Sequence, residues 1–439
     1  MKTSEKRILT SHVGSLIRPQ AVQQHLRRQE AGSYDKAAHE AMLSFAVSDI
    51  VAAQANVGID VVSDGEFGKA ISWSQYVLQR LDGFERRRLP DDAPDPMAHG
   101  ADRARFADFY REQDAADARV SGGDGGRVKM QSVCTGPIKY TGQAALQRDL
   151  DNLKAAMKKA GGKVQEAFLP VAAPASAIPD RANEYYKSFE DLIWALAEAM
   201  RVEYKMIVEA GFLVQVDDAR AAVTFDRMVP PASFRDYRKW LDLHQEALNH
   251  ALEGIPPEKV RYHVCWGSWP GPHTTDVPLN DIADLVLKVN AGAYVLEMAN
   301  PRHEHEWAVW KDVELPDDKI LLPGVISHAT NIVEHPDLVA ERIVRLANVV
   351  GRERVIASTD CGFAQGPYHR RVHETIQWAK LEALVEGAKR ASKQLWAKKP
   401  AAAKKAAAKK KAAPVKKKAV ARKKAAPKKA VKKKAARRR

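Results

Sequence analysis

The chain has little cysteine and no long apolar run, and both absences restrict what it can be. Its 439 residues include three cysteines, Cys134, Cys265 and Cys361, which are too few and too scattered for the disulfide framework of a secreted protein. No apolar run reaches the roughly 18 residues that a membrane-spanning helix needs, and no signal-type apolar core opens the chain. We therefore expect a cytoplasmic protein without membrane contact, in which Cys134 is a small buried side chain.

The last part of the chain lacks acidic residues altogether. From Lys398 to Arg439 the sequence has 21 Lys and Arg, no Asp or Glu, and a background of alanine interrupted by proline. Because the whole chain has a formal net charge of +15, the residues before this segment together carry about −6. Such a segment cannot build a core, so we predict a disordered tail over 396–439. It would either bind nucleic acid non-specifically through the phosphates or serve only as a solubilising extension.

Strand-like and helix-like stretches alternate through the rest of the chain. Apolar runs typical of strands occur eight times, and each is followed by a helical pattern or by a polar excursion. The predicted strands are 8–13, 59–63, 128–134, 212–216, 260–265, 293–298, 319–326 and 354–359. This order predicts an α/β fold, a (β/α)8 TIM barrel over 1–395 with an insertion at about 81–126. An open doubly wound sheet would give the same alternation.

His263 and Cys265 indicate a metal site at the end of the fifth predicted strand. Residues two apart in an extended strand point to the same face, so the imidazole and the thiol would face one space. Zinc usually takes four ligands from thiolates, imidazoles and carboxylates. Glu297 and Cys361 follow the sixth and eighth predicted strands, where a barrel brings strand ends together. The alternative is two buried cysteines, a hydrogen-bonded histidine and a solvated glutamate.

Polar residues recur just past the other predicted strands. They include Ser15, Glu66, Thr135, Asp217 and His328. In a TIM barrel these strand ends form the active site, although Glu66 and Asp217 could equally cap the helices that follow them. The stretch His303-Glu304-His305 is predicted to lie on the surface.

These landmarks, in this order and spacing, resemble the C-terminal catalytic barrel of the cobalamin-independent methionine synthase family, and particularly its short single-barrel relatives. The resemblance spans most of 8–391 and rests on short motifs. Among them are Ser11-His12-Val13-Gly14-Ser15, Asp64-Gly65-Glu66, Val216-Asp217-Asp218, His263-Val264-Cys265, Glu297 and Asp360-Cys361-Gly362. It implies a (β/α)8 barrel and a Zn2+ cofactor held by His263, Cys265, Glu297 and Cys361.

The resemblance also implies a reaction and its small-molecule partners. The zinc would activate a thiol, homocysteine, for methylation to methionine, because coordination removes the proton of a thiol whose pKa is otherwise about 8.5. Gly14 and Ser15 would hold the carboxylate of homocysteine, while Glu66 and Asp217 would accept from its ammonium group.

Two stretches depart from the family pattern on the side of the alkyl donor. Ser327-His328-Ala329 stands where the family has an acid and a histidine two apart, so His328 is our candidate for the catalytic acid, with His12 as the alternative. Arg220 follows Asp217-Asp218-Ala219 in place of the family's Asp-Glu-Pro-Ala and would favour an anionic thiol. With the first strand at residue 8 we expect no additional N-terminal barrel, which leaves the methyl donor open.

Two other hypotheses therefore stand beside homocysteine methylation. The first keeps the zinc but uses another thiol, such as one bearing a sulfonate, or another donor, such as an epoxide or a methylated corrinoid. The second is a nucleic-acid-associated protein whose barrel is a non-catalytic platform.

Overall fold

The computed structural model describes residues 1–32, 35–90, 92–120 and 129–397. The described strands are β1 (Leu9–Thr10), β2 (Val61–Val62), β3 (Leu81–Arg88), β4 (Met130–Tyr140), β5 (Glu166–Ala172), β6 (Ala182–Asn183), β7 (Leu213–Asp218), β8 (Val260–Val264), β9 (Ala293–Leu296), β10 (Ile320–Ile326) and β11 (Ile356–Thr359). The helices are α1 (Gln20–Glu30), α2 (Lys36–Val57), α3 (Ala101–Arg105), α4 (Ala107–Val120), α5 (Gln143–Ala160), α6 (Phe189–Glu209), α7 (Ala219–Met228), α8 (Phe234–Ala251), α9 (Ala283–Lys288), α10 (Pro336–Val350) and α11 (Glu374–Trp396). Almost all of the predicted tail lies outside the described residues.

Eight parallel strands form the central sheet, in the order β1-β11-β10-β9-β8-β7-β5-β2. The two terminal strands of this order also meet, because the backbone N–H of Asp60 donates to the carbonyl of Thr10 at 3.1 Å. Beside it, the hydroxyl of Ser11 donates to the carbonyl of Val61 at 3.1 Å. The sheet therefore curls into a nearly closed barrel, which confirms the predicted (β/α)8 TIM barrel and excludes the open doubly wound sheet.

The third barrel strand differs from the prediction. The predicted strand 128–134 forms part of β4, which pairs antiparallel with β3 and parallel with β6 in a separate three-stranded sheet. The barrel position belongs to β5, whose side chains are buried on both faces beyond its first residue, as a parallel strand covered by helices requires. Several residues of β4 are half-exposed or exposed, unlike those of a barrel strand, so β4 belongs to an accessory sheet with one face open. Thr135 consequently does not lie at a barrel strand end.

The insertion after β2 is folded where the structure describes it. It contains β3, α3 and α4, and the predicted helix near 101–113 corresponds to α3 and the first half of α4. Elsewhere helix starts follow local chemistry: the hydroxyl of Ser188 caps α6 by accepting from the backbone N–H of Asp191 at 3.0 Å. Among the described helices, none has both the length and the apolar character needed to span a bilayer.

Candidate metal centre

Three of the four predicted metal ligands lie together at the C-terminal end of the barrel. His263 is near the end of β8, Cys265 follows that strand, and Cys361 follows β11. One ligand atom from each lies within 4.8 Å of the others, and the two sulfur atoms are 3.5 Å apart. All three residues are buried. The barrel thus brings the thiol of Cys361 to a thiol and an imidazole that lie almost 100 residues earlier in the sequence.

This group fits a zinc ion by two observations. Zinc–sulfur bonds of about 2.3 Å in a tetrahedral site separate two sulfurs by about 3.8 Å, close to the 3.5 Å found here. The Nε2 atom of His263 is buried and has no hydrogen-bond partner among the described residues, while its Nδ1 atom lies 2.9 Å from a carboxylate oxygen of Asp217. A carboxylate on the far nitrogen is the usual way in which a protein orients a metal-binding histidine.

The three side chains also perturb each other's ionisation. The hydrogen bond from Cys265 and the contact with His263 lower the pKa of the Cys361 thiol despite its burial. The same Cys361 thiolate, together with burial, raises the pKa of Cys265. Burial lowers the pKa of His263, but the hydrogen bond with Asp217 and the nearby Cys361 thiolate outweigh it and raise the pKa to about 10. Without a metal, one thiolate and an imidazolium are therefore the favoured forms.

Glu297, the fourth predicted ligand, is buried beside this group with both oxygens engaged. One oxygen accepts from the backbone N–H of Trp266 at 2.9 Å. The other accepts from Asn300 at 2.7 Å and from the Arg302 guanidinium at 3.1 Å. Ligation by Glu297 would exchange the bond from Arg302 for one to the metal, so its role as a ligand stays a prediction.

Asp360 ties the ends of two ligand-bearing strands together. Its carboxylate accepts from the backbone N–H groups of Met298 and Ala299 at 2.9 and 2.8 Å, so the residue before Cys361 holds the residues after Glu297. Burial and the neighbouring Glu297 raise its pKa to about 7. This link fixes the distance between β9 and β11 at the metal group.

A cavity of about 230 Å³ opens over the metal group. Ser15, Glu66, Asp217, Cys265 and Cys361 all line it. Gly14 lies beside it with a φ of +133°, and a Cβ there would collide with the ring of Pro170 and lie 3.2 Å from a Glu66 oxygen. His263 lines the cavity too, so six of the eight predicted substrate and metal residues share one space, and Gly14 lies close to its wall.

The two acids predicted to bind an ammonium group have protein partners. Glu66 forms an ion pair with Lys69, with 3.1 Å between Oε2 and Nζ, and burial raises its pKa to about 7 against the opposing effect of Lys69. Asp217 accepts from His263 and, at 2.9 Å, from the amide of Gln215. Asp217 therefore orients the predicted metal ligand His263. Local sequence patterns do not show this contact, because the two residues lie on neighbouring strands.

His328 lies beneath the site and not in the cavity wall. It is fully buried, and neither ring nitrogen has a hydrogen-bond partner among the described residues. Burial lowers its pKa, while the nearby Cys361 and Glu297 oppose that effect. His12 has both nitrogens engaged, by Gln54 at 2.7 Å and the backbone N–H of Gly14 at 3.1 Å. Of the two histidines, His328 keeps the freedom to exchange a proton.

The expectation that His303 lies on the surface is wrong. Its ring is buried between Glu306, at 2.7 Å, and Asp276, at 3.2 Å. Asp276 also accepts from Arg302 at 2.8 Å, so this network supports the arginine that holds Glu297. The network was not predicted because Asp276 comes from the connection after β8 and its other members from the connection after β9.

Other wall residues come from the insertion and from α7. Met97 of the insertion lines the cavity, as do Trp73 and Arg227, which the sequence patterns did not single out. Asp102 anchors the insertion by accepting from the Tyr110 hydroxyl at 2.7 Å and from the backbone N–H of Thr274 at 2.9 Å. The insertion therefore contributes to the cavity wall instead of lying apart from the barrel.

Known proteins similar to this chain cover nearly all of it. No family model matches. The 2-hydroxypropyl-CoM lyase of Xanthobacter autotrophicus is 27% identical over 427 residues, which are 90% of this chain and 98% of that protein. A methionine synthase of Saccharolobus islandicus is 25% identical over 396 residues, covering 89% of this chain and 96% of that protein.

Two solved structures share the fold. The B12-independent methionine synthase from Shewanella sp. W3-18-1, in complex with selenomethionine, superposes with a TM-score of 0.63 at 18% identity, covering 89% of this chain and 100% of that one. A putative vitamin-B12 independent methionine synthase from Listeria monocytogenes gives a TM-score of 0.59 at 20% identity, covering 88% and 98%. Sequence and structure together confirm the resemblance of this barrel to the cobalamin-independent methionine synthase family and its short single-barrel relatives.

Proposed function

We infer that the protein is a zinc-dependent thiol alkyltransferase that methylates homocysteine to methionine. The observation that carries this proposal is the group of His263, Cys265 and Cys361 beside the cavity, with the His263 Nε2 atom buried and unpartnered. The relatives named methionine synthase support the same reaction class. A methylated tetrahydropteroylglutamate would be the donor in that case.

The side chains around the group have separable tasks in this reaction. Zinc bound there would keep a substrate thiol as its thiolate at neutral pH. Asp217 holds the His263 ring with Nε2 directed away from the carboxylate. Ser15 and the backbone around Gly14 bound the cavity where the carboxylate of homocysteine would lie. The insertion and Trp269 limit access of water to the reacting atoms.

The transfer itself moves one carbon and one electron pair. The sulfur lone pair forms the new bond to the methyl carbon, the bond from that carbon to the donor breaks, and the donor leaves with the pair and needs a proton. His328 stays the predicted source of that proton. It lies near Cys361 and Glu297, but it is fully buried outside the cavity wall, so it would have to pass the proton through an intervening group or water. Its unpartnered nitrogens leave it free to accept and release one.

A different thiol or donor is the second candidate function. Lys69 already neutralises Glu66, one of the two acids that would bind the ammonium group of homocysteine. The relative named 2-hydroxypropyl-CoM lyase favours a thiol other than homocysteine. An electrophile such as an epoxide or a methylated corrinoid would then take the place of the methylfolate. The metal group would serve this reaction in the same way.

Metal analysis and a thiol panel test the proposal. We expect about one zinc per chain, and Cys265→Ser and Cys361→Ser should lose zinc and activity together, because each removes a thiolate ligand. Cys134→Ser is the matched control, since Cys134 lies in the accessory strand β4 with its sulfur 3.4 Å from the carbonyl of Gly136. A fully active protein without metal would contradict the proposal.

The panel separates the two functions. Turnover of homocysteine with a methylfolate supports the first, whereas consumption of other thiols with an epoxide or methylcorrinoid, and no turnover of homocysteine, supports the second. Non-specific nucleic-acid binding by the tail and a cytoplasmic location stay predictions, and the relatives give no support to the former.

A further inference from the structure

One face of α7 forms a wall of the cavity above the metal group. Ala219, Arg220, Val223 and Arg227 all line the cavity, and their spacing of three, four and seven residues places them on one side of the helix. The helix begins immediately after Asp217 and Asp218 at the end of β7. Two guanidinium groups are therefore presented to the same space as the thiols of Cys265 and Cys361.

Within the part of the chain that the structure describes, neither guanidinium has an anionic partner at ion-pair distance. Among the described residues, no side-chain hydrogen bond or ion pair involves Arg220, whose backbone N–H alone is bonded, to the hydroxyl of Ser176 at 3.1 Å. Arg227 contacts the sulfur of Met97 at 3.8 Å. Other arginines of the interior have polar partners: Arg80, Arg302 and Arg342 pair with acids, whereas Arg18 and Arg261 donate to backbone carbonyl or hydroxyl oxygens. The α7 pair differs from these in facing a cavity.

The environment of the pair disfavours its charge. Burial, followed by repulsion from Arg227 and Arg181, lowers the pKa of Arg220 to about 9. Burial also lowers the pKa of Arg227. Both side chains are half-buried, and Asp218 and Asp226 oppose the lowering without forming an ion pair with them. Cations partly withdrawn from water are costly unless something compensates them, and an anionic ligand in the cavity would do so.

We propose that Arg220 and Arg227 form an anion subsite, which holds a carboxylate or sulfonate of a co-substrate while its reacting end lies at His263, Cys265 and Cys361. Guanidinium groups suit this task because their planar donors match such anions bidentately. The inference rests on the proposed thiol alkyl transfer, which identifies the reacting end as the thiol sulfur or the alkyl carbon. The anion belongs either to the thiol or to the alkyl donor, and the two sources share this chemistry.

Direct binding tests the subsite without requiring turnover. Ethanesulfonate is titrated into the full-length protein and its variants, with the fluorescence of Trp73 and Trp269 in the cavity wall as the signal. Arg220→Gln and Arg227→Gln should each weaken binding at least tenfold, and Arg220→Lys should weaken it less. Arg111→Gln, which removes an exposed arginine of α4, should leave binding unchanged. Equal affinity in the wild type and both Gln variants would overturn the subsite.

Kinetics with paired thiols identifies the source of the anion. If the thiol carries it, Arg220→Gln raises the KM for 2-mercaptoethanesulfonate but not for 2-mercaptoethanol. If the donor carries it, only the KM for a carboxylate-bearing donor such as methylfolate rises. An equal rise for 2-mercaptoethanol would show loss of cavity shape and would contradict the proposal. Arginine-dependent ethanesulfonate binding in a protein that transfers no alkyl group would refute the proposed function while leaving the subsite intact.

Discussion

Asp217 provides the sharpest test of how the metal group is held. Its carboxylate is buried, lies 2.9 Å from Nδ1 of His263, and accepts from Gln215 at 2.9 Å. His263 and Gln215 bond the same oxygen of Asp217, so Asp217→Asn can keep both contacts but removes the negative charge. A hydrogen bond to a charged group contributes about 1.5–3 kcal/mol and a neutral one about 0.5–1.5 kcal/mol, so the loss is about 1–1.5 kcal/mol. Loss of a carboxylate behind a metal-binding histidine lowers metal affinity about 10- to 100-fold, or about 1.4–2.7 kcal/mol. The two estimates meet at about 1.4 kcal/mol, which corresponds to a tenfold loss of affinity.

Zinc affinity measured by competition with a chromophoric chelator checks this expectation. Asp242→Asn is the control, because Asp242 is an exposed acid of α8 that pairs with Lys288. Any increase in the KM for the thiol in Asp217→Asn should be explained by the lower zinc occupancy and should disappear when zinc is saturating. The reasoning is refuted if zinc affinity stays within twofold of wild type while the KM for homocysteine rises, since Asp217 would then contact the ammonium group and not orient His263.

Two further predictions concern stability. Burial lowers the pKa of His303, but bonds to Asp276 and Glu306 raise it to about 9, so its stabilisation is fully present below about pH 6.5 and lost as pH rises through 9. The difference in unfolding free energy between wild type and His303→Gln should therefore shrink by up to about 3 kcal/mol between pH 6 and 9.5. Urea unfolding of both proteins at each pH measures this difference. A difference that does not change with pH would contradict the prediction. Gly14→Ala should destabilise the fold by about 1–3 kcal/mol, more than Gly211→Ala, because both positions have positive φ but only a Cβ at Gly14 meets Pro170. Thermal unfolding compares them, and equal losses would show that the contact with Pro170 is unimportant.

The sequence by itself determined the class of fold and most of the candidate metal group. Alternation of strand and helix patterns predicted the barrel, and seven of its eight strands lie close to their predicted positions. The i, i+2 spacing of His263 and Cys265 is a local property of an extended chain, and a barrel gathers the ends of its parallel strands. These rules were sufficient to group Cys361 with them.

Only the tertiary structure decided which groups are partners. The third barrel strand was assigned wrongly because periodicity does not show whether a short apolar run is covered on one face or both, and β5 is covered on both. The ion pair of Glu66 with Lys69, the hold of Arg302 on Glu297 and the bond of Asp217 to His263 depend on how side chains are directed within shared space. The order of elements along the chain predicts which residues lie at the C-terminal end of the barrel. The charged partner of each residue there depends on how loops distant in sequence pack together.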